Sequence, residues 1–109
     1  MADRPAVDPR RTNLAAVPHT FELDDGFLPD YAEPGRFELR TYGTGERYLV
    51  LACPGCGKVA GMAVGDPKPS ASPSWLITGP PAAPTLHPSV NCVGCCGWHG
   101  WLKNGVFAL

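Results

Sequence analysis

No stretch of this 109-residue chain approaches the run of about 18 apolar residues that a membrane-spanning helix needs. The polar, proline-containing start Met1-Ala2-Asp3-Arg4-Pro5 carries no apolar core of a secretory signal, so a cytoplasmic protein with no membrane contact is expected. Charge is sparse, at 17% of residues, and Lys and Arg form no cluster. Nucleic-acid binding is thereby disfavoured, because phosphate recognition needs a basic face. Arg36 and Arg40 would be its best footing, and Glu38 stands between them. Acids are nearly missing from the second half, where only Asp66 lies between Lys58 and Leu109. A zinc hydrolase would lack a nearby carboxylate base there, and no His-x-Glu deaminase signature exists. Long helices are excluded by 13 Gly and 13 Pro.

What the chain does have is cysteine. Cys53-Pro54-Gly55-Cys56-Gly57 is a C-x₂-C knuckle, and Cys92-Val93-Gly94-Cys95-Cys96-Gly97-Trp98-His99-Gly100 is its echo. Pro54 fixes one φ, and Gly57 takes a positive one, so the two thiols converge. An odd count of five cysteines, with no secretory signal, argues against a disulfide framework. A redox pair would place its first cysteine at a helix start, and Gly57, Val59, Gly61 and Val64 disfavour a helix. A structural Zn²⁺ is the reading. It would also offset the thin core of so small a domain.

The segments around these knuckles read as strands. Arg36–Tyr42 alternates polar and apolar residues, and Glu46–Ala52 is more continuously apolar. Lys58–Val64 returns, and Ser74–Thr78 follows a proline-rich loop. Pro84–Val90 is too proline-rich for a central strand and should run along an edge. Trp98–Lys103, Asn104-Gly105 and Val106–Leu109 read as a hairpin on a type I′ turn. His19–Asp24 is a further strand candidate, and a short helical turn fits Asn13–Val17. The predicted fold is therefore all-β, a small zinc-ribbon-like domain of hairpins over 19–109. An extended N-terminal arm covers 1–18. Trp75, Trp98 and Trp101 are read as core aromatics, with room for one to be exposed.

The second half of the site offers two pairs. Cys92 and Cys95 make a C-x₂-C; Cys96 and His99 make a C-x₂-H. Gly100 follows His99 as Gly57 follows Cys56, and the hairpin starts directly after His99. The preferred ligand set is therefore Cys53, Cys56, Cys96 and His99, with Cys92 and Cys95 as the alternative second pair. His87 is read as a surface residue or a support for a ligand, and His19 as weaker still.

From about Val50 to Leu109 the chain resembles a small zinc-binding family of unknown function found in bacteria and their phages. The resemblance rests on Cys53–Gly57, the Trp-containing Ser74–Thr78, Pro84-Thr85-Leu86-His87-Pro88-Ser89-Val90, and Cys96–Val106. It implies metal at Cys53, Cys56, Cys96 and His99, brings no activity, and points to a phage or mobile-element origin. The expected function is a non-enzymatic, zinc-stabilised protein-binding or structural module. Such a module would be a virion component or a host-directed regulator, with a protein partner met through residues 1–18. A zinc-ribbon nucleic-acid binder and a small zinc hydrolase are the alternatives.

Overall fold

The computed structural model describes residues 5–92 and 94–109, so the first four residues of the arm lie outside it. The described residues form strands and turns, with no helix among them. The strands are β1 (Leu14–Ala15), β2 (Val17–Pro18), β3 (Arg36–Thr41), β4 (Arg47–Ala52) and β5 (Val59–Gly65). They continue as β6 (Trp75–Thr78), β7 (Thr85–His87), β8 (Val90–Asn91), β9 (His99–Lys103) and β10 (Val106–Ala108). Six of them make one sheet in the order β2-β3-β4-β5-β6-β7, and four make a second in the order β1-β10-β9-β8.

The all-β expectation holds, and most strands lie where the alternation put them. In β3, Phe37 is buried and points to the core, while Glu38 and Arg40 share the other face. These two form an ion pair of 2.9 Å and clamp the Phe21 backbone: Phe21 N–H donates to Glu38, and Arg40 donates to the Phe21 carbonyl. Arg36 likewise pairs with Glu33. The arginines of this strand are thus neutralised and offer no basic face. From Leu49 to Ala52, β4 is apolar and buried because both its faces are covered there. Leu49 and Leu51 enter the main core; Val50 and Ala52 meet Phe21, Leu28 and Val59 on the other side. β7 forms the edge of the larger sheet, as proline content requires. Asn104 and Gly105 have φ of 49° and 75°, the pair of positive values that a type I′ turn demands.

Two local expectations change. Asn13–Val17 forms no helical turn: Asn13 has a positive φ, Leu14 and Ala15 pair with β10, and Val17 and Pro18 pair with β3. Neighbouring strand edges supply hydrogen bonds that a single helical turn cannot match. His19–Asp24 forms no strand either; Phe21 is held by side chains, and Asp24 bridges only to Phe27.

The main core lies between the sheets. Leu49, Met62, Val64, Ile77 and Leu86 come from one side, and Trp98, Leu102 and Phe107 from the other. Trp98 is fully buried, edge-to-face with Phe107 at 5.9 Å, and its Nε1–H donates to the Arg11 carbonyl at 2.7 Å. Gly100 leaves room for that indole, since a Cβ there would sit 2.8 Å from the ring. Burying a side chain of this class contributes roughly 1.5–3 kcal/mol or more.

Candidate functional site

The first knuckle is built by β4 and β5. Cys53 N–H donates to the Lys58 carbonyl and Gly57 N–H to the Cys53 carbonyl, closing the turn. Gly57 has φ of +79°, as the sequence required. The second knuckle hangs between β8 and β9, where Cys95 N–H and Gly97 N–H both bond back to the Cys92 carbonyl. Gly97 takes the positive φ, at 80°.

Together the knuckles gather Cys53, Cys56, Cys95 and Cys96, whose sulfurs all lie within 4.8 Å of one another. Cys53 and Cys96 are 3.7 Å apart, and Cys53 and Cys95 are 3.8 Å apart. A tetrahedral ion with metal–sulfur bonds of about 2.3 Å separates its sulfurs by about 3.8 Å. None of the five cysteines is disulfide-bonded. Four cysteines that can hold a metal ion are therefore in place. The third residue of the first knuckle must be glycine, because a Cβ on Gly55 would lie 2.5 Å from Cys96 Sγ.

Three of the four thiols resist ionisation without an ion. A hydrogen bond with the Cys92 thiol, and then burial, raise Cys53 well above its ordinary value. Burial pushes Cys56 up to about 12 and also raises Cys96. Burial opposes ionisation of Cys95 too, but the Cys96 N–H and the thiols of Cys56, Cys53 and Cys92 outweigh it and lower its pKa. A cation among them would favour the thiolates.

Of the preferred ligand set, the structure brings Cys53, Cys56 and Cys96 together and adds Cys95. His99 is not in the group. Two residues after the turn β9 has begun, and strand alternation decides where His99 points. Gly100 and Leu102 face the core, so His99, Trp101 and Lys103 face outward. On the paired strand Val90 faces inward, which turns Ser89 and Asn91 outward beside them. Ser89 Oγ and His99 Nε2 meet there at 2.9 Å. The Ser89 backbone is pinned from behind, its carbonyl accepting Trp75 Nε1–H at 3.1 Å. His87, on β7, stacks on Trp101 at 6.1 Å, and Lys103 lies over the same indole.

This pair gives the site a second chemistry. A serine hydroxyl hydrogen-bonded to an imidazole Nε2 is the core of an activated oxygen nucleophile. Among the described residues no other serine of the chain is bonded to a histidine: Ser74 is buried and donates to the Pro69 carbonyl.

The family described as bacterial ubiquitination-like system serine protease (BubE) matches residues 25–109. The chain belongs to the BubE family. No curated protein and no solved structure matches it. Membership overturns the expectation of a non-enzymatic binding or structural module, because the family is described as a protease. It equally replaces the picture of a family without an activity. The local spacing of Cys96 and His99 assigns the imidazole to a metal, and nothing local to the Pro-Thr-Leu-x-Pro-Ser segment gives its serine a partner. The signal available was a serine and a histidine ten residues apart, flanking a knuckle that folds the chain back on itself.

Proposed function

We propose that this chain is a serine peptidase with Ser89 as nucleophile and His99 as general base. The observation that carries the reading is the 2.9 Å contact between Ser89 Oγ and His99 Nε2, on the outward face of β8 and β9. The family's description, a serine protease of a bacterial ubiquitination-like system, supports the reaction class.

The chemistry follows from the two side chains. Ser89 Oγ attacks the carbonyl carbon of the scissile amide while its proton passes to His99 Nε2. The C–N bond then breaks, and the imidazolium returns that proton to the departing amine. The acyl group remains as an ester on Ser89. A water molecule attacks the ester, loses a proton to His99, and releases the acid; His99 returns the proton to Ser89.

In the same reading the four thiols hold a structural Zn²⁺. All-sulfur, tetrahedral spacing selects zinc or iron, and a closed set of four protein ligands leaves no position for substrate. The ion's task is to fix the second knuckle, and through it the β8–β9 pairing that aligns serine and histidine. Five unpaired cysteines fit a reducing compartment.

The test is covalent. A fluorophosphonate probe should label the wild type at Ser89, identified by peptide mass spectrometry, and should not label Ser89→Ala. Labelling at another serine, or equal labelling of the variant, removes Ser89 as nucleophile.

A further inference from the structure

Ser89 and His99 stand on the outward face of the four-stranded sheet, and their neighbours on that face are fixed by strand register. Cys92 N–H donates to the Trp98 carbonyl, which makes those two residues a hydrogen-bonded pair. Asn91 and His99, one step along, are then a pair of the other kind, whose side chains lie closer together. The same register, carried two steps further, sets Ser89 opposite Trp101. His87, two residues before Ser89, stacks on the Trp101 ring. His99 and Trp101 are themselves two residues apart on one face of β9, about 7 Å along the strand. The exposed indole of Trp101 is therefore a wall of the serine's own surroundings.

Lys103 reaches over this wall, its Nζ 5.2 Å from the centre of the indole. Attraction to the ring face holds the ammonium toward the serine instead of at the far end of the strand. No acid of the sheet opposes it. Leu14–Ala15, Val90–Asn91, His99–Lys103 and Val106–Ala108 contain no Asp or Glu, and Lys103 is their one formally charged residue. Residues 67–109 hold no acidic side chain at all. Arg36 and Arg40 are each bound to a carboxylate, whereas Lys103 has no ion pair among the described residues. The face that carries the nucleophile thus presents a single positioned cation with no counter-charge of its own.

We propose that Trp101 and Lys103 form a specificity subsite beside Ser89 that takes an acidic side chain of the substrate, within three residues of the scissile bond. An extended chain covers about 3.3 Å per residue, and the ammonium lies over a ring one strand step from the nucleophile, which sets that range. The substrate carboxylate meets the Lys103 ammonium, and a basic residue at the same place is repelled. Complementarity of this kind selects among substrates and speeds their encounter more than it tightens binding. This assignment rests on the serine peptidase reading.

The experiment uses the full-length protein and three fluorophosphonates that share one short flexible tail, ended by a carboxylate, an amide or a trimethylammonium group. Ser89 should react about three- to fivefold faster with the carboxylate probe than with the amide probe, the size of one exposed ion pair. The ammonium probe should be slowest, and the differences should fade in about 0.5 M salt. Lys103→Met should level the three rates and Lys103→Glu should invert their order, while the amide probe keeps its wild-type rate in both. Equal rates in the wild type overturn the assignment, as does an order that survives Lys103→Glu. Failure of all three probes to label Ser89 instead sinks the peptidase reading itself, which keeps the two failures apart.

Discussion

His99 is the residue on which the two chemistries of this protein turn. Its spacing from Cys96 is that of a metal ligand, yet its imidazole lies against Ser89 and outside the thiol group. The two roles predict different variants. In His99→Gln, peptide hydrolysis should fall by about 10²–10⁴, the usual loss when a general base is removed. Metal content by plasma mass spectrometry should stay at the wild-type value. Loss of the metal together with the activity would return His99 to the ligand set. Gly55 offers a second residue-scale test. Gly55→Ala forces a methyl against Cys96 Sγ and to 2.9 Å from Trp98 Cβ. Overpacking of this kind costs about 1–3 kcal/mol, so metal affinity in a chelator competition should drop by roughly 5- to 150-fold. An unchanged affinity would mean that the knuckles separate freely.

At the scale of elements, the site is two knuckles brought to one point by β4–β5 and β8–β9. Three of the four gathered thiols, Cys53, Cys56 and Cys96, are raised above their ordinary values, and one of them reaches about 12. They are therefore protonated near neutral pH, and a metal ion must displace those protons to bind. The sign follows directly: protons compete with the ion, so affinity rises with pH and the ion is released on acidification. Isothermal titration in buffers of differing ionisation enthalpy should count more than one proton released per ion. A count of zero would mean that the thiols are ionised beforehand. Cys95→Ser should lose the ion while Cys92→Ser keeps it, because Cys95 and not Cys92 completes the four-sulfur group. The reverse pattern would restore the C-x₂-C pair.

On the scale of the whole molecule, the described part of the arm is a latch on the first knuckle. Asp8 N–H donates to the Gly55 carbonyl at 2.6 Å, and Arg11 Nη1 donates to the Pro54 carbonyl at 2.7 Å. Leu109 N–H bonds to Thr12 Oγ1, which ties the two ends of the described chain. Removing residues 1–12 would uncover the Trp98 indole and strip its hydrogen-bond acceptor. Tryptophan emission should shift to the red and the thermal midpoint should fall by several degrees, as a loss of about 1–3 kcal/mol implies. Unchanged emission would show that the indole is shielded without the arm.

Much of this was legible in one dimension. Alternation over Arg36–Tyr42, the Asn104–Gly105 turn and the Cys53–Cys56 knuckle are local patterns, set by backbone sterics and by which face of a strand is apolar. They needed no knowledge of distant neighbours, and each stands where it was expected. The helical turn at Asn13–Val17 failed because its alternative, pairing with β10 and β3, depends on strands up to some ninety residues away. The Ser89–His99 contact is hidden in the sequence for a related reason. Ser89 and His99 belong to different strands, and only the β8–β9 register puts them on one face within hydrogen-bond reach. The local spacing of Cys96 and His99 favoured coordination, but spacing does not say where a side chain points once a strand has begun. Sequence by itself thus determined the all-β class, the turns and a cysteine cluster, because those follow from short-range sterics and composition. The tertiary structure decided which thiols gather and that a serine meets a histidine, because both depend on strand register and on the face each residue takes.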